Sequence, residues 1–254
     1  KTTIQKENKG IFKLSETYNK ALNESKGEFI AILEGDDIWE KDKLEKQIKI
    51  FENNPNVVLS CGKALVKNEN LSVVLGTSPE IINTESFKYN KPVGSFLNYL
   101  LYENPIVALT ICVRKTILQK MGGFYQDFEI PTVDISTLLR LSLCGEFYYI
   151  DDILGTWRNS ATQITKIFPV ELARKRKELV FSFYETLPFE IKNSLNIDLK
   201  KLELYYLNIL QVSYARSGRY KLIRKDFKGA RKDYFKAIFF KGFRNNIWRL
   251  RSII

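Results

Sequence analysis

The apolar run Phe29-Ile30-Ala31-Ile32-Leu33 passes directly into Glu34-Gly35-Asp36-Asp37 and then Ile38-Trp39. A β-branched, aromatic-rich segment of this length predicts a buried strand, and it carries three carboxylates to its C-terminal end, where open α/β sheets place their ligands. Three carboxylates this close repel one another, and a divalent cation relieves the repulsion. Hard cations such as Mg²⁺ and Mn²⁺ take oxygen ligands and share them with phosphates, so the chemical reading is a metal-phosphate site built from Asp36 with Glu34 or Asp37. The alternative is an acidic turn that leads into a helix for backbone reasons alone.

The stretch after the turn predicts a strand-turn-helix-strand unit of the kind found in parallel sheets. Asp42 and Glu45 have capping-box spacing, and Leu44, Ile48 and Phe51 recur at helical intervals. Asn53-Asn54-Pro55 stops the helix, and Val57-Val58-Leu59-Ser60-Cys61 reads as a second buried strand.

These words together resemble the family-two glycosyltransferases of the GT-A fold: Glu7-Asn8-Lys9-Gly10, Thr17-Tyr18-Asn19-Lys20-Ala21-Leu22, Lys26-Gly27-Glu28-Phe29-Ile30-Ala31, and Glu34-Gly35-Asp36-Asp37-Ile38-Trp39 running into Lys43-Leu44-Glu45-Lys46-Gln47. The acidic word is a variant of that family's DxD motif. A downstream block resembles the acceptor half: Met121-Gly122-Gly123-Phe124, Val133-Asp134 through Leu139-Arg140-Leu141, Cys144-Gly145-Glu146 leading to Tyr149-Ile150-Asp151-Asp152, and Leu154-Gly155-Thr156-Trp157-Arg158.

The resemblance implies an α/β fold, a GT-A (Rossmann-like) mixed sheet flanked by helices. It implies transfer of one sugar from a nucleotide-diphosphate sugar, usually a UDP-sugar, to a glycan or lipid-linked acceptor with inversion, in surface-polysaccharide synthesis. By the same resemblance Asp134 is the catalytic base, Lys13 and Asn19 contact the donor, and Trp157 and Arg158 lie at the acceptor end. Each has an ordinary structural alternative: a helix N-cap for Asp134, a surface lysine, a capping asparagine, and core packing for Trp157. The resembled family begins with a strand, a helix and a second strand that bind the nucleotide base. None of these precedes Lys1, so the resemblance implies a domain that is N-terminally truncated. The His that often follows the aromatic-Arg pair is Ser160 here, and the QxxRW signature of processive synthases is absent.

Composition removes several other chemistries. The 254 residues contain no histidine, which excludes Ser/His/Asp and Cys/His catalysis and imidazole metal sites. Cys61, Cys112 and Cys144 are isolated, which points away from a disulfide framework or a zinc site and towards a reducing compartment. No apolar segment has the ~20 residues needed to span a bilayer, so a cytoplasmic protein is expected, peripheral on the inner membrane face if it docks there. Clustered carboxylates also suit a metal-dependent phosphotransferase or hydrolase, and a non-catalytic fragment with a docking module is a third reading.

Charge divides the chain. Residues 1–165 carry 19 Lys and Arg against 21 Asp and Glu, while residues 166–254 carry 21 against 8. The expected domains are therefore a partial GT-A domain over 1–165 and a basic, all-α extension over 166–254. In the extension, Leu202, Tyr205, Tyr206, Ile209 and Val212 predict a helix ending near Ser217-Gly218, and Ala230, Tyr234, Ala237 and Ile238 predict a second. Solvated helix faces explain the charge in one reading. In the other, the basic helices dock on an anionic membrane surface with Phe239, Phe240, Phe243 and Trp248 at the interface. Nucleic-acid binding is not expected, since its recognised motifs are missing.

Overall fold

A computed structural model describes residues 7–80 and 88–240. The described residues fall into two compact units, one reaching to Ser160 and including Phe189–Leu195, the other formed by Ala161–Pro188 and the chain from Asn196.

The first unit is a mixed sheet with helices against it. Its elements are helix α1 (Leu14–Glu24), strands β1 (Phe29–Ala31) and β2 (Ile38–Trp39), helix α2 (Lys43–Asn53), strands β3 (Val57–Asn68) and β4 (Val74–Ser78), helix α3 (Leu97–Leu100), strand β5 (Cys112–Arg114), helices α4 (Lys115–Met121) and α5 (Asp134–Leu141), and strand β6 (Glu146–Asn159). The strand order is β1-β5-β3-β6-β2, with β4 also on β3. β3 and β6 run parallel along most of their lengths, and the other pairings are antiparallel. The expected strand-helix-strand unit is present, but β1 and β3 are not neighbours: the three-residue β5 lies between them and is antiparallel to both.

β6 runs past the Asp ending read from the sequence. Ile150 pairs with Gly62 and Ile153 with Lys63, so Asp151 and Asp152 bulge out of the ladder and their carboxylates pair with Lys63 and Lys46. Gly155 is required for β2 to pass over this strand: a Cβ there would lie 2.3 Å from Leu109 Cδ1 and 2.6 Å from the Ile38 carbonyl oxygen.

Helix α2 does not bury the face its apolar residues predict. Leu44 is 40% exposed, and the buried positions are Lys43, Gln47 and Phe51. A buried polar seam explains the rotation. The Gln47 amide donates to the Ser60 carbonyl (3.1 Å), Ser60 Oγ (2.8 Å) and the Thr110 carbonyl (2.8 Å), and Lys43 Nζ donates to Gln47 Oε1 at 2.6 Å. Lys43 also lies 4.5 Å above the Trp39 ring. Such a network holds helix to sheet in one register, which an apolar contact alone specifies less sharply. The capping box does not form either. Asp42 takes the N-cap position without a side-chain cap, its carboxylate 2.7 Å from Lys46, while Glu45 accepts from Lys49.

The second unit is helical: α6 (Ile164–Ile167), α7 (Pro169–Thr186), α9 (Leu199–Ile223) and α10 (Phe227–Ile238), with the intervening α8 (Phe189–Leu195) grouped with the first unit. Ser217-Gly218 does not end α9. A Cβ on Gly218 would stand 2.8 Å from the Tyr234 ring, so this glycine lets the two helices approach, and Ser217 Oγ donates to Asp233 at 2.6 Å. Gly242, Asn245-Asn246, Phe243 and Trp248 lie outside the described residues.

The seam beneath α2 can be tested at both of its buried side chains. Gln47→Leu should lower unfolding stability by about 2–3 kcal/mol in urea titrations, because it strands the Ser60 and Thr110 acceptors and Lys43 in the interior. Burial pushes the Lys43 amine down to about 8 from its ordinary 10.5. The folded state then holds fewer protons than the unfolded state between those values, so stability contributed at this site rises with pH across that window. Wild type should therefore gain on Lys43→Met between pH 8 and 10.5, by up to about 3 kcal/mol. A pH-independent difference between the two would refute this.

Candidate functional site

The acidic turn joins β1 to β2 and closes on itself, the Asp37 amide donating to the Glu34 carbonyl at 3.1 Å. Two clasps hold it. The Trp39 indole N–H is shared between the carbonyls of Ile32 (3.1 Å) and Leu109 (3.0 Å), and Asp37 Oδ1 accepts the backbone N–H of Arg158 at 3.0 Å. The second clasp puts the Trp157-Arg158 pair at the end of β6 beside the turn. Trp157 and Arg158 are half-buried, while Glu34 and Asp36 are exposed.

Asp134 opens α5 but does not cap it. The N-cap is Val133, and the Asp134 carboxylate accepts at Oδ2 from the Asn104 amide at 2.8 Å. Asn104 is fixed in turn, its Oδ1 accepting the Ile106 N–H at 3.1 Å. The loop ahead of Asp134 is held on several sides. Arg140 makes a two-pronged bond to Asp127 at 2.8 and 3.1 Å with its guanidinium 3.9 Å over the Tyr125 ring. The Gln126 amide bridges the carbonyls of Ile11 and Ile130 and accepts the Ser15 N–H. Phe128 and Glu129 have φ of 56° and 52°, a left-handed pair of non-glycine residues just before this helix. Strain of that kind persists only where surrounding contacts over-determine it.

The electrostatics tie the two acidic elements together. Glu34 is reachable by solvent, yet the protein mass around its carboxyl and the charges of Asp134, Asp37 and Asp36 push it up to about 7. Asp37 is pushed up to about 6, mainly by burial, with the Arg158 N–H opposing and Asp36 adding repulsion. Tyr18, on α1, is raised first by burial and then by the charges of Glu34 and Asp134. The fold thus brings Tyr18, Glu34 and Asp134 within electrostatic reach. Nothing in the sequence singles out Tyr18 or Asn104. Tyr18 stands inside the Thr17-Tyr18-Asn19 word, and Asn104 precedes a proline with nothing to distinguish it from a turn residue.

The remaining candidates are placed differently. Lys13 is exposed at the N-cap of α1. The Asn19 amide bonds Phe124 at both ends, donating to its carbonyl at 2.9 Å and accepting its N–H at 2.7 Å, so it staples α1 to the turn after α4. That turn explains Met121-Gly122-Gly123-Phe124. Gly122 ends α4 in the left-handed region with φ of 96°, and a Cβ on Gly123 would fall 2.2 Å from Asn19 Oδ1.

Among the described residues, no three His, Cys, Asp or Glu side chains are gathered to hold a metal ion by themselves. The donor set still fits a hard cation that takes one or two carboxylates and completes its shell from substrate phosphates. Glu34 and Asp36 present oxygen atoms to solvent, and Glu34, raised first by burial, also meets the charges of Asp134, Asp37 and Asp36, a repulsion that a cation would relieve.

A family described as Glycosyl transferase family 2 matches residues 5–121. The uncharacterized glycosyltransferase MJ1057 of Methanocaldococcus jannaschii is 28% identical over 178 residues, covering 69% of this chain and 54% of its own length. The Escherichia coli protein WfgD, a UDP-Glc:alpha-D-GlcNAc-diphosphoundecaprenol beta-1,3-glucosyltransferase, is 36% identical over 102 residues, 39% of this chain and 34% of its own. A crystal structure of S. aureus TarS 1–349 superposes with a TM-score of 0.36 at 13% identity, covering 91% of this chain and 72% of that one. The chain spans about half or less of the length of these two curated relatives.

The raised Glu34 carboxyl yields a prediction that needs no ligand. Its folded value of about 7 exceeds the ordinary 4.5, so the folded state holds the extra proton between those values. Stability from this group is present below pH 4.5 and is lost as pH rises through 7. Glu34→Gln should melt above wild type at pH 8 and level with it at pH 4. A gain of equal size at both pH values would show that the raised carboxyl, held up first by burial and then by the neighbouring acids, is not the cause.

Proposed function

Because residues 5–121 belong to glycosyl transferase family 2, we propose that this chain takes part in moving one sugar from a nucleotide-diphosphate sugar to a glycan or lipid-linked acceptor hydroxyl, with inversion. The observation that carries the reading is the electrostatic coupling of the acidic turn to Asp134, two groups a hundred residues apart in sequence. In this reading Glu34 and Asp36 face the donor diphosphate. A divalent cation, Mn²⁺ or Mg²⁺, held there would supply charge neutralisation for the departing nucleotide. Asp37 is spoken for by the Arg158 amide and acts by fixing the turn.

Asp134 then removes the acceptor proton. Asn104 occupies Oδ2 and leaves Oδ1 for the hydroxyl, so the carboxylate is oriented before the acceptor arrives. Attack from the face opposite the leaving diphosphate inverts the anomeric carbon without a covalent enzyme intermediate. Trp157 offers a half-buried aromatic edge for an acceptor sugar, and Lys13 remains the exposed cation for the donor side. The donor and acceptor named for WfgD, a UDP-sugar and a diphosphoundecaprenol-linked sugar, support a UDP-sugar and a lipid-linked glycan here, and with them a role in surface-polysaccharide synthesis at the inner membrane face. Among the described residues no helix is long and apolar enough to cross a membrane.

The test separates the two carboxylate roles. Asp134→Asn should keep the thermal protection that UDP with Mn²⁺ gives wild type and lose sugar transfer from a UDP-sugar by on the order of 10²-fold or more. Asp36→Asn should lose the protection itself. Full turnover in Asp134→Asn, or undiminished Mn²⁺-dependent protection in Asp36→Asn, would overturn the respective assignment.

A further inference from the structure

Helix α10 packs on α9 through Ala230, Asp233 and Ala237. Asp233 is buried and accepts from both Ser217 Oγ and Lys221 Nζ at 2.6 Å, and the Gln211 amide donates to the Ala237 carbonyl at 2.9 Å. The inner face of the helix is therefore fully accounted for. At 100° per residue, the pole opposite that seam carries Lys228, Phe235 and Phe239, with Arg231 and Lys232 on either side.

A helix packed on one side ordinarily gives its outer face to polar residues. Here Phe235 and Phe239 are 61% and 63% exposed, and their rings touch each other with centroids 4.5 Å apart. The tip of the helical hairpin continues the pattern: Leu222 is 46%, Ile223 67% and Phe227 65% exposed. The apolar groups are set among cations. Residues 216–240 hold nine Lys and Arg against two acids, Asp226 and Asp233. Asp233 lies in the seam, and Asp226, which caps α10 through the Gly229 N–H at 2.9 Å, is the one exposed acid of this stretch, set beside Phe227 among the nine cations.

We infer that the outer face of α10 and the hairpin tip, with Phe235, Phe239, Phe227 and Ile223 as the inserting side chains and Lys228, Arg231 and Lys232 as the cations around them, form a docking surface for an anionic lipid bilayer. The chemistry of each part matches that occupant. Aromatic and aliphatic side chains on one helix face enter the boundary between headgroup and acyl chains, while surrounding Lys and Arg meet lipid phosphates. Single-stranded nucleic acid would also meet the cations and rings, but the aliphatic Leu222 and Ile223 have no stacking face to offer a base, and a bilayer uses them equally well. The inference goes beyond sugar transfer and does not depend on it, because the surface belongs to the helical unit and involves none of the acidic-site residues.

The experiment uses the full chain, with no donor or acceptor present. Sedimentation with phosphatidylcholine vesicles, with and without phosphatidylglycerol, is compared at about 50 and 150 mM salt, where the surface potential is screened to different degrees. Wild type should pellet with the anionic vesicles, with weaker binding at the higher salt, and leave the neutral ones largely unbound. Phe235→Ser/Phe239→Ser should cut partitioning at least tenfold. Both side chains are exposed, so its circular dichroism and melting should stay those of wild type, and Lys228→Ser/Arg231→Ser/Lys232→Ser gives a second variant that should also lose the salt-sensitive binding. Equal partitioning of wild type onto both vesicle types, no partitioning onto either, or unchanged binding by the Phe variant would overturn the inference. So would a wild-type dimer that the Phe variant dissolves without any change in vesicle binding, or single-stranded RNA binding lost in that variant while vesicle binding persists.

Discussion

Only six residues separate β1 from β2, yet these strands are the two ends of the strand order. In a flat sheet four strand spacings of about 4.8 Å would set them about 19 Å apart. A chain gains at most about 3.4 Å per residue when extended, and four of the six residues are folded into the acidic turn. The link therefore has little slack to cross a flat sheet, and the bond from the Trp39 indole on β2 to the Ile32 carbonyl beside β1 holds the two ends of the strand order close together. The Trp39 indole, bonded to carbonyls at Ile32 and Leu109, closes that clasp. Everything near the site inherits its position from this constraint: the carboxylates are carried on a short bridge between edges, and β6 delivers Arg158 to the bridge because it lies next to β2.

Beneath the clasp, the packing is polar where a core is usually apolar. Trp39, Lys43, Gln47, Ser60 and Thr110 form one network that joins the end of the acidic turn to α2, β3 and the turn before β5. A mismatch in any one of these elements would leave a donor or acceptor unpaired at a cost of about 1–3 kcal/mol. The network thereby selects one register for the segment that positions Glu34 and Asp36.

The strand at Val57, the acidic turn and the helix that begins at Asp134 are legible in the sequence because each is long or chemically marked, whereas the run from Phe29 to Leu33 yields only the half-buried three-residue β1, with Leu33 49% exposed. Three kinds of feature are not legible. β5 is only three residues long, too short to carry a period, and so the antiparallel insertion between β1 and β3 has no sequence signal. The α2 face is hidden because Leu44 and Ile48 are apolar, while the residues that face inward, Lys43 and Gln47, are buried for their hydrogen bonds. The third kind is partnership across distance. Asn19 with Phe124, Asn104 with Asp134, and Ser217 with Asp233 are pairs whose members look like ordinary surface residues until the fold sets them side by side. The family resemblance gives Asn19 a donor-side task from its place in the chain, and nothing in the sequence announces that its amide also bonds the Phe124 backbone.

Lys43 also gives the protein a built-in gauge of its own opening. Among the described residues Lys43 alone of the lysines is buried, and the others are exposed or half-buried. Lys43 is sealed at 0% exposure, and because burial is what depresses its basicity, the amine regains its ordinary value near 10.5 once uncovered and then reacts like any surface lysine. Its acylation is then limited by how often α2 lifts from the sheet. The rate at that single amine, followed by peptide mass against the fast background of the surface lysines, reads out the local free energy of the layer that carries the acidic turn.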